Sequence, residues 1–334
     1  MSPIQSAEII GVAKEATFGT FKAPTNFIPG ICTINSTTKV ARPEQSRGQT
    51  RDYVVDALVG IEVGATINAE LIPEQLPVLL AGWYGTNSDT LTGAAKTGRI
   101  HTMVPKITVP SFSLEVDHDA VVQTVARRLV GCNVDQVILR GTQQALATME
   151  FTLLGQKEET PASPNYGLPS NATPTFNSQQ PIDHSRLTAM YKGVEVQELQ
   201  DYTLTMMNHV QRVFSANKQI YIVRLVPTRR EIQFQTTLDF LNANIYNDWL
   251  AGNWATGPAF TLKYETAYTI EEGGGPTGFN KIEFKLARLR PMGQFNLQAA
   301  SDVLNEQITW STVLGESENI VETVWTNGTN SAYN

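Results

Sequence analysis

The chain has 334 residues, 41% of them hydrophobic and 17% charged, a globular balance that exceeds the usual single-domain length and excludes a disordered or fibrous chain. A formal net charge of −7 and a pI of about 5.2 argue against a protein that grips nucleic-acid phosphates. Met1 to Gly11 lacks the basic and apolar regions of a secretory signal, and the longest apolar run, 78–84, is too short to cross a bilayer, so a soluble protein made in the cytoplasm is expected. Cys32 and Cys132 lie far apart with no CxxC, which points to two free thiols in a reducing compartment rather than a bridge.

From Gly60 to Ile72 the chain alternates, with Ile61, Val63, Ala65, Ile67, Ala69 and Leu71 on one side. That period of two predicts a half-buried strand. Residues 73–82 follow as a short helix, with Leu76, Leu79, Leu80 and Trp83 as its apolar stripe and Gly82 as its C-terminal cap. Pro77 is compatible with that helix only near its start. Pro110 to Asp117 is a second half-buried strand facing inward through Phe112, Leu114 and Val116, and residues 151–158 close the first half as another. Residues 160–185, with Pro161, Pro164, Pro169, Pro174 and Pro181, read as an extended linker.

The same series then recurs. Glu231 to Phe240 alternates with Ile232, Phe234, Leu238 and Phe240 inward, and residues 244–252 repeat the helix, again ending in Leu-Ala-Gly. Pro258-Ala-Phe-Thr-Leu-Lys-Tyr-Glu265 echoes Pro110-Ser-Phe-Ser-Leu-Glu-Val-Asp117, and residues 311–318 echo 151–158. Four elements in one order predict a duplicated domain. The divisions are 1–159 with an N-terminal arm, the linker 160–185, and 186–334 with a C-terminal arm. The alternative is one large β-sandwich of generic alternating strands.

No catalytic constellation emerges. His101, His118, His184 and His209 fall in no HExxH or paired Cys/His spacing, and GxSxG, GxxxxGK[ST] and GxGxxG do not occur. Asp117-His118-Asp119 is the densest polar cluster, but neighbouring strand residues face opposite ways, so a strand-end turn outweighs a metal site. Gly273 to Pro276 reads as a hairpin tip rather than a phosphate cradle. The doublets Arg127-Arg128 and Arg229-Arg230 read as a solvated face or an intersubunit salt bridge, without the interleaved aromatics of single-strand binders. The expectation is a non-enzyme with no cofactor and no metal.

Lys14-Glu-Ala-Thr-Phe-Gly-Thr20, Pro24 and Phe27-Ile-Pro29, then Gly60 to Leu71 with its short helix, the Pro-x-Phe strand, Gly131-Cys-Asn-Val134 and the closing Phe-x-Leu-Leu-Gly strand resemble, in that order, a siphophage tail tube protein. The resemblance covers roughly residues 10 to 158; the second half lacks the Phe-Gly-Thr opening and joins through the internal repeat.

The resemblance implies a mainly β fold, here two tandem tail-tube-type β-sandwich or barrel domains, each with a short flanking helix. It also implies six domains to a ring, with sheets joined into an inner barrel, and rings stacked into the virion's conduit for DNA ejection. Two domains per chain make a ring of three chains with approximate sixfold symmetry; a variant uses six chains, with the second domain outside. Partners on this reading are the chain itself, tape measure, tail terminator and distal tail proteins, with DNA passing unbound and no membrane. The hairpin 41–58, with Arg42, Glu44, Arg47, Arg51, Asp52 and Asp56, is the candidate ring-stacking loop, and residues 208–221 are its counterpart. Lumen-lining candidates are Glu62, Thr66, Glu70, Glu115, Asp117, Gln233, Gln235 and Asp239. The competing reading is a β-rich decoration or adhesin module binding glycans through Tyr246, Trp249 and Trp254.

Overall fold

A computed structural model describes residues 8–41, 57–85, 87–92, 98–118, 126–159, 181–197, 199–215, 220–239, 244–251, 260–270, 278–300, 303–312 and 321–327. The fold is mainly β. The strands up to residue 159 are β1 (Ile9–Lys14), β2 (Asn26–Ile28), β3 (Ile31–Ala41), β4 (Ala57–Glu70), β5 (Ser88–Thr92), β6 (Gly98–Met103), β7 (Phe112–Asp117), β8 (Ala126–Thr142), β9 (Thr148–Gly155) and β10 (Lys157–Glu159), with helix α1 (Pro77–Tyr84) after β4. Those that follow are β11 (Leu187–Tyr191), β12 (Val194–Glu195), β13 (Leu199–Met207), β14 (Gln211–Phe214), β15 (Ile222–Val226), β16 (Glu231–Asp239), β17 (Phe260–Ile270), β18 (Gly278–Leu286), β19 (Leu289–Ala300), β20 (Val303–Thr312) and β21 (Val321–Asn327), with α2 (Asn244–Ala251) after β16.

One antiparallel sheet runs through both halves in the order β3-β4-β9-β8-β13-β16-β20-β19. Its middle seam joins β8 to β13 with Arg140 opposite Thr203. The register carries one row of buried side chains, Ile67, Phe151, Val137, Met206 and Ile232, straight across that seam. Two further layers pack on this apolar face. The first, β2-β1-β7-β8-β10, shares β8, whose N-terminal part pairs with β7 and β10. The second is β12-β11-β17-β18-β21-β6-β5, in which the β5–β6 hairpin of the first half extends a sheet of the second. The main described core cluster is continuous across both halves, with Trp83, Phe112, Phe151, Phe234, Trp310 and Trp325 among its largest members.

β8 serves two layers because it kinks at Gly131, whose φ of +66° suits glycine; a Cβ there would stand 2.7 Å from Gln156 Cβ. Arg288, with φ +52°, turns the chain in the same way between β18 and β19.

Three expectations change in detail. α1 starts at Pro77 and ends at Tyr84, capped by Gly85 with its φ of +88°, so Gly82 is an interior residue and not the cap. The helix is buried on every side rather than along a stripe, and a Cβ on Gly82 would lie 2.5 Å from Phe112 Cε2. Gly82→Ala should therefore destabilise the fold by about 1–3 kcal/mol through overpacking, read from the denaturant midpoint. β7 is buried on both faces, because the segment from Glu15 to Lys22 covers its polar side: Ser113 donates to Glu15 and accepts from the Lys22 N–H. The end of the expected linker is built into the fold, with Ile182 N–H donating to Leu71 O and Ile182 O accepting from Ala147 N–H. Residues 160–180 and Phe240 lie outside the described residues.

Both cysteines are free and buried. Burial pushes the Cys32 thiol up to about 12, with the Glu8 carboxylate adding to the shift, and burial holds Cys132 well above its ordinary value. Neither is a thiolate at pH 8, so iodoacetamide should label the native chain far more slowly than the unfolded one. Equal rates would contradict this burial.

Candidate assembly surface

The surface with functional geometry is the main sheet, through its polar face and its two edges. Glu62, Thr66 and Glu70 on β4 and Gln233, Gln235 and Asp239 on β16 share the face turned away from the core. One cross-strand row runs Glu70, Thr148, Arg140, Thr203, Gln235 and Thr309. The same face carries Glu150, Asp201 and Glu231, set against Lys39, Arg140 and Arg290. Arg140 pairs with Glu150 at 2.8 Å, Lys39 pairs with Glu62, and Arg212 approaches Glu62 at 3.7 Å. Hydrogen bonds from Gln233, His209 and Arg229 lower the Glu231 carboxyl below its ordinary range, which keeps it ionised.

Glu115 and Asp117 stand apart from these six. They lie in β7, in another layer, with no exposed surface. Alternation assigned them to a polar face, but that face is covered. Glu115 Oε2 accepts from Arg128 Nε and Nη2 at 3.1 and 3.0 Å, and the Arg128 guanidinium lies 3.5 Å from the centre of the Phe21 ring. The second basic doublet is likewise engaged within the chain, with Arg229 on Glu231 and Arg230 donating to Asn208 Oδ1 and the Tyr84 carbonyl.

The ring-stacking candidates Arg42, Glu44, Arg47, Arg51, Asp52 and Asp56 lie outside the described residues, as does Trp254. Their counterpart is a hairpin, β14–β15, seated on the polar face of the first half. Val210, Ile222 and Leu225 form a small apolar cluster with Phe18 and Leu154, and Ile61 N–H donates to Ile220 O at 2.8 Å.

The edges were not foreseen residue by residue. β3 pairs only with β4, and β19 only with β20, among the described residues. Strands alternate in direction through all eight positions, so these two edges run oppositely. On β3, the Cys32 N–H donates to Glu8 Oε1 at 2.8 Å and the Ile34 carbonyl accepts from Arg127 Nη1 at 2.9 Å. Arg127 is in turn gripped by Glu158 at 2.7 and 2.8 Å, and those hydrogen bonds lower the Glu158 carboxyl against the opposing effect of burial.

The sequence matches a family model described as phage tail tube protein over residues 6–310. The chain belongs to the phage tail tube protein family. A search of the curated proteins found no match. Membership makes the chain a structural component of a phage tail tube. The match takes in both halves, so this tube protein carries its family's features well beyond residues 10 to 158. No described helix is long and apolar enough to cross a membrane.

Proposed function

We propose that this tube protein assembles head to tail into closed rings of three chains, which stack to form the passage for DNA ejection in a siphophage tail. The observation that carries the reading is the strand order. β3-β4-β9-β8 is followed by β13-β16-β20-β19, two quartets joined edge to edge at the β8–β13 seam. On this reading each quartet is the inner sheet of one duplicated domain, and the seam inside the chain is the template for the seam between chains. The free β19 of one copy then takes the free β3 of the next in the antiparallel sense, a heterologous contact that closes when the rotation is right. Three chains of eight strands leave no open edge in the barrel.

On this reading the layers packed on the apolar face stand outside, and the polar face, apart from the part that the β14–β15 hairpin covers, faces the axis. There the carboxylates keep phosphates off the wall, and small polar groups offer no site to hold them. Tape measure, terminator and distal tail proteins are its proposed partners along and at the ends of the tube. Native mass of an isolated ring tests the count: about 110 kDa, three times 36.7 kDa, is expected. Six chains per ring, or a chain that stays monomeric under assembly conditions, would overturn it.

A further inference from the structure

The seam inside the chain also specifies the seam between chains, residue by residue. At β8–β13, Thr142 lies opposite Asp201, Gly141 opposite Tyr202, Arg140 opposite Thr203 and Leu139 opposite Leu204. Cross-strand pairs relate the two quartets. Ala65 opposite Leu153 has the place of Phe234 opposite Trp310, and Asn133 opposite Leu154 has the place of Arg290 opposite Ser311. The backbone supplies an independent landmark: Gly131 stands two residues before Asn133 and Arg288 two before Arg290, and both have positive φ. Through this correspondence residues 31–34 of β3 take the position of 201–204, and residues 297–300 of β19 that of 139–142.

The hydrogen bonds already on β3 fix which of its groups point outward. Backbone groups of one strand residue turn to the same side, and residues two apart agree. Cys32 and Ile34 meet Glu8 and Arg127, so they face away from β4, while Thr33 faces it. Side chains thus occupy the positions a neighbouring strand would take.

Resting on the ring reading above, we propose that β3 of a second copy adds to β19 with Ile34 opposite Leu297, Thr33 opposite Gln298, Cys32 opposite Ala299 and Ile31 opposite Ala300. The Glu8 carboxylate and the Arg127 guanidinium cap this edge in the free subunit and leave it when the strand arrives. Cys32 and Ala299 then exchange backbone hydrogen bonds, and Thr33 and Gln298 form the close pair between them, with Cα atoms about 4.5 Å apart. A disulfide spans that separation.

The test is oxidation of assembled Thr33→Cys/Gln298→Cys chains, followed by non-reducing denaturing electrophoresis, with wild type as the blank for native thiols. Covalent dimers and trimers are expected there, and also from Ile31→Cys/Ala300→Cys, the next close pair of the same register, with Ile31 exposed, which serves if the first double variant folds poorly. The slipped pair Thr33→Cys/Asn296→Cys should stay monomeric on the gel. Rings by electron microscopy with the slipped pair trapped instead would overturn the register and leave the ring standing. Absence of rings from wild type would overturn both.

Discussion

Proline in place of Ala299 should leave the subunit folded and stop the ring. In the proposed register the Ala299 N–H points out of β19 toward the incoming β3, so its removal spares the ladder to β20. Proline is tolerated on a strand edge for that reason, yet it withholds a donor from the new partner and crowds it. The lost hydrogen bond and the carbonyl left unpaired cost about 2 kcal/mol at each seam. The proposed ring of three has three such seams, so its formation constant should fall by on the order of 10^4. Sedimentation should find monomers where wild type forms rings, while circular dichroism and the urea midpoint stay near wild type. Gln298→Pro is the contrasting variant: its N–H points toward β20, so it should lower the stability of the subunit itself. Rings from Ala299→Pro at wild-type yield would contradict the edge assignment.

Arg128→Ala should be the most damaging single change to the fold. Arg128 is 4% exposed and carries the charge that balances Glu115, which has no exposed surface; its Nη1 also lies 3.6 Å from Glu159 Oε2. Deleting the guanidinium removes two charge-assisted hydrogen bonds from a fully buried carboxylate, a change that costs about 3–5 kcal/mol. Urea denaturation should show that loss. Replacing both residues, Arg128→Met with Glu115→Leu, should recover most of it, because a well-packed apolar pair avoids the desolvation of both charges. A loss under about 1 kcal/mol in Arg128→Ala would mean that Glu115 is not stabilised by this contact.

Much of the fold was legible because local patterns there agree with tertiary context. β4 and β16 alternate and bury the predicted residues, Val63, Ala65 and Ile67 in one, Ile232, Phe234 and Leu238 in the other. Pro77 opens α1, as its missing N–H and fixed φ require. Where the reading failed, a distant segment intervened. Alternation at Glu115 and Asp117 is real, but residues from the Glu15–Lys22 segment and Arg128 cover that face, and nothing local in β7 announces them. Gly82 ends the repeated Leu-Ala-Gly, yet Gly85 has the left-handed φ, and Gly82 is small because Phe112 presses on it. The match between 151–158 and 311–318 is also three residues out of the pairing, in which Phe151 opposite Ile67 has the place of Ile308 opposite Thr236. A Leu-Gly pair is a weak register mark beside a cross-strand ladder.

The polar face of the sheet was recoverable from period two alone, which is why six of the eight named residues share it. The edges were not, since an unpaired strand has no signature in its own residues. Only the contacts of Glu8 and Arg127 with Cys32 and Ile34, made across long sequence separations, mark the outward side of β3.

Cryo-electron microscopy of the assembled tube in cross-section tests the central claim most directly. The account predicts threefold symmetry close to sixfold, with an inner barrel of three eight-stranded sheets and β3 of each chain hydrogen-bonded to β19 of the next. A strict sixfold ring of whole chains, or an inner wall in which β3 and β19 remain unpaired, would contradict it.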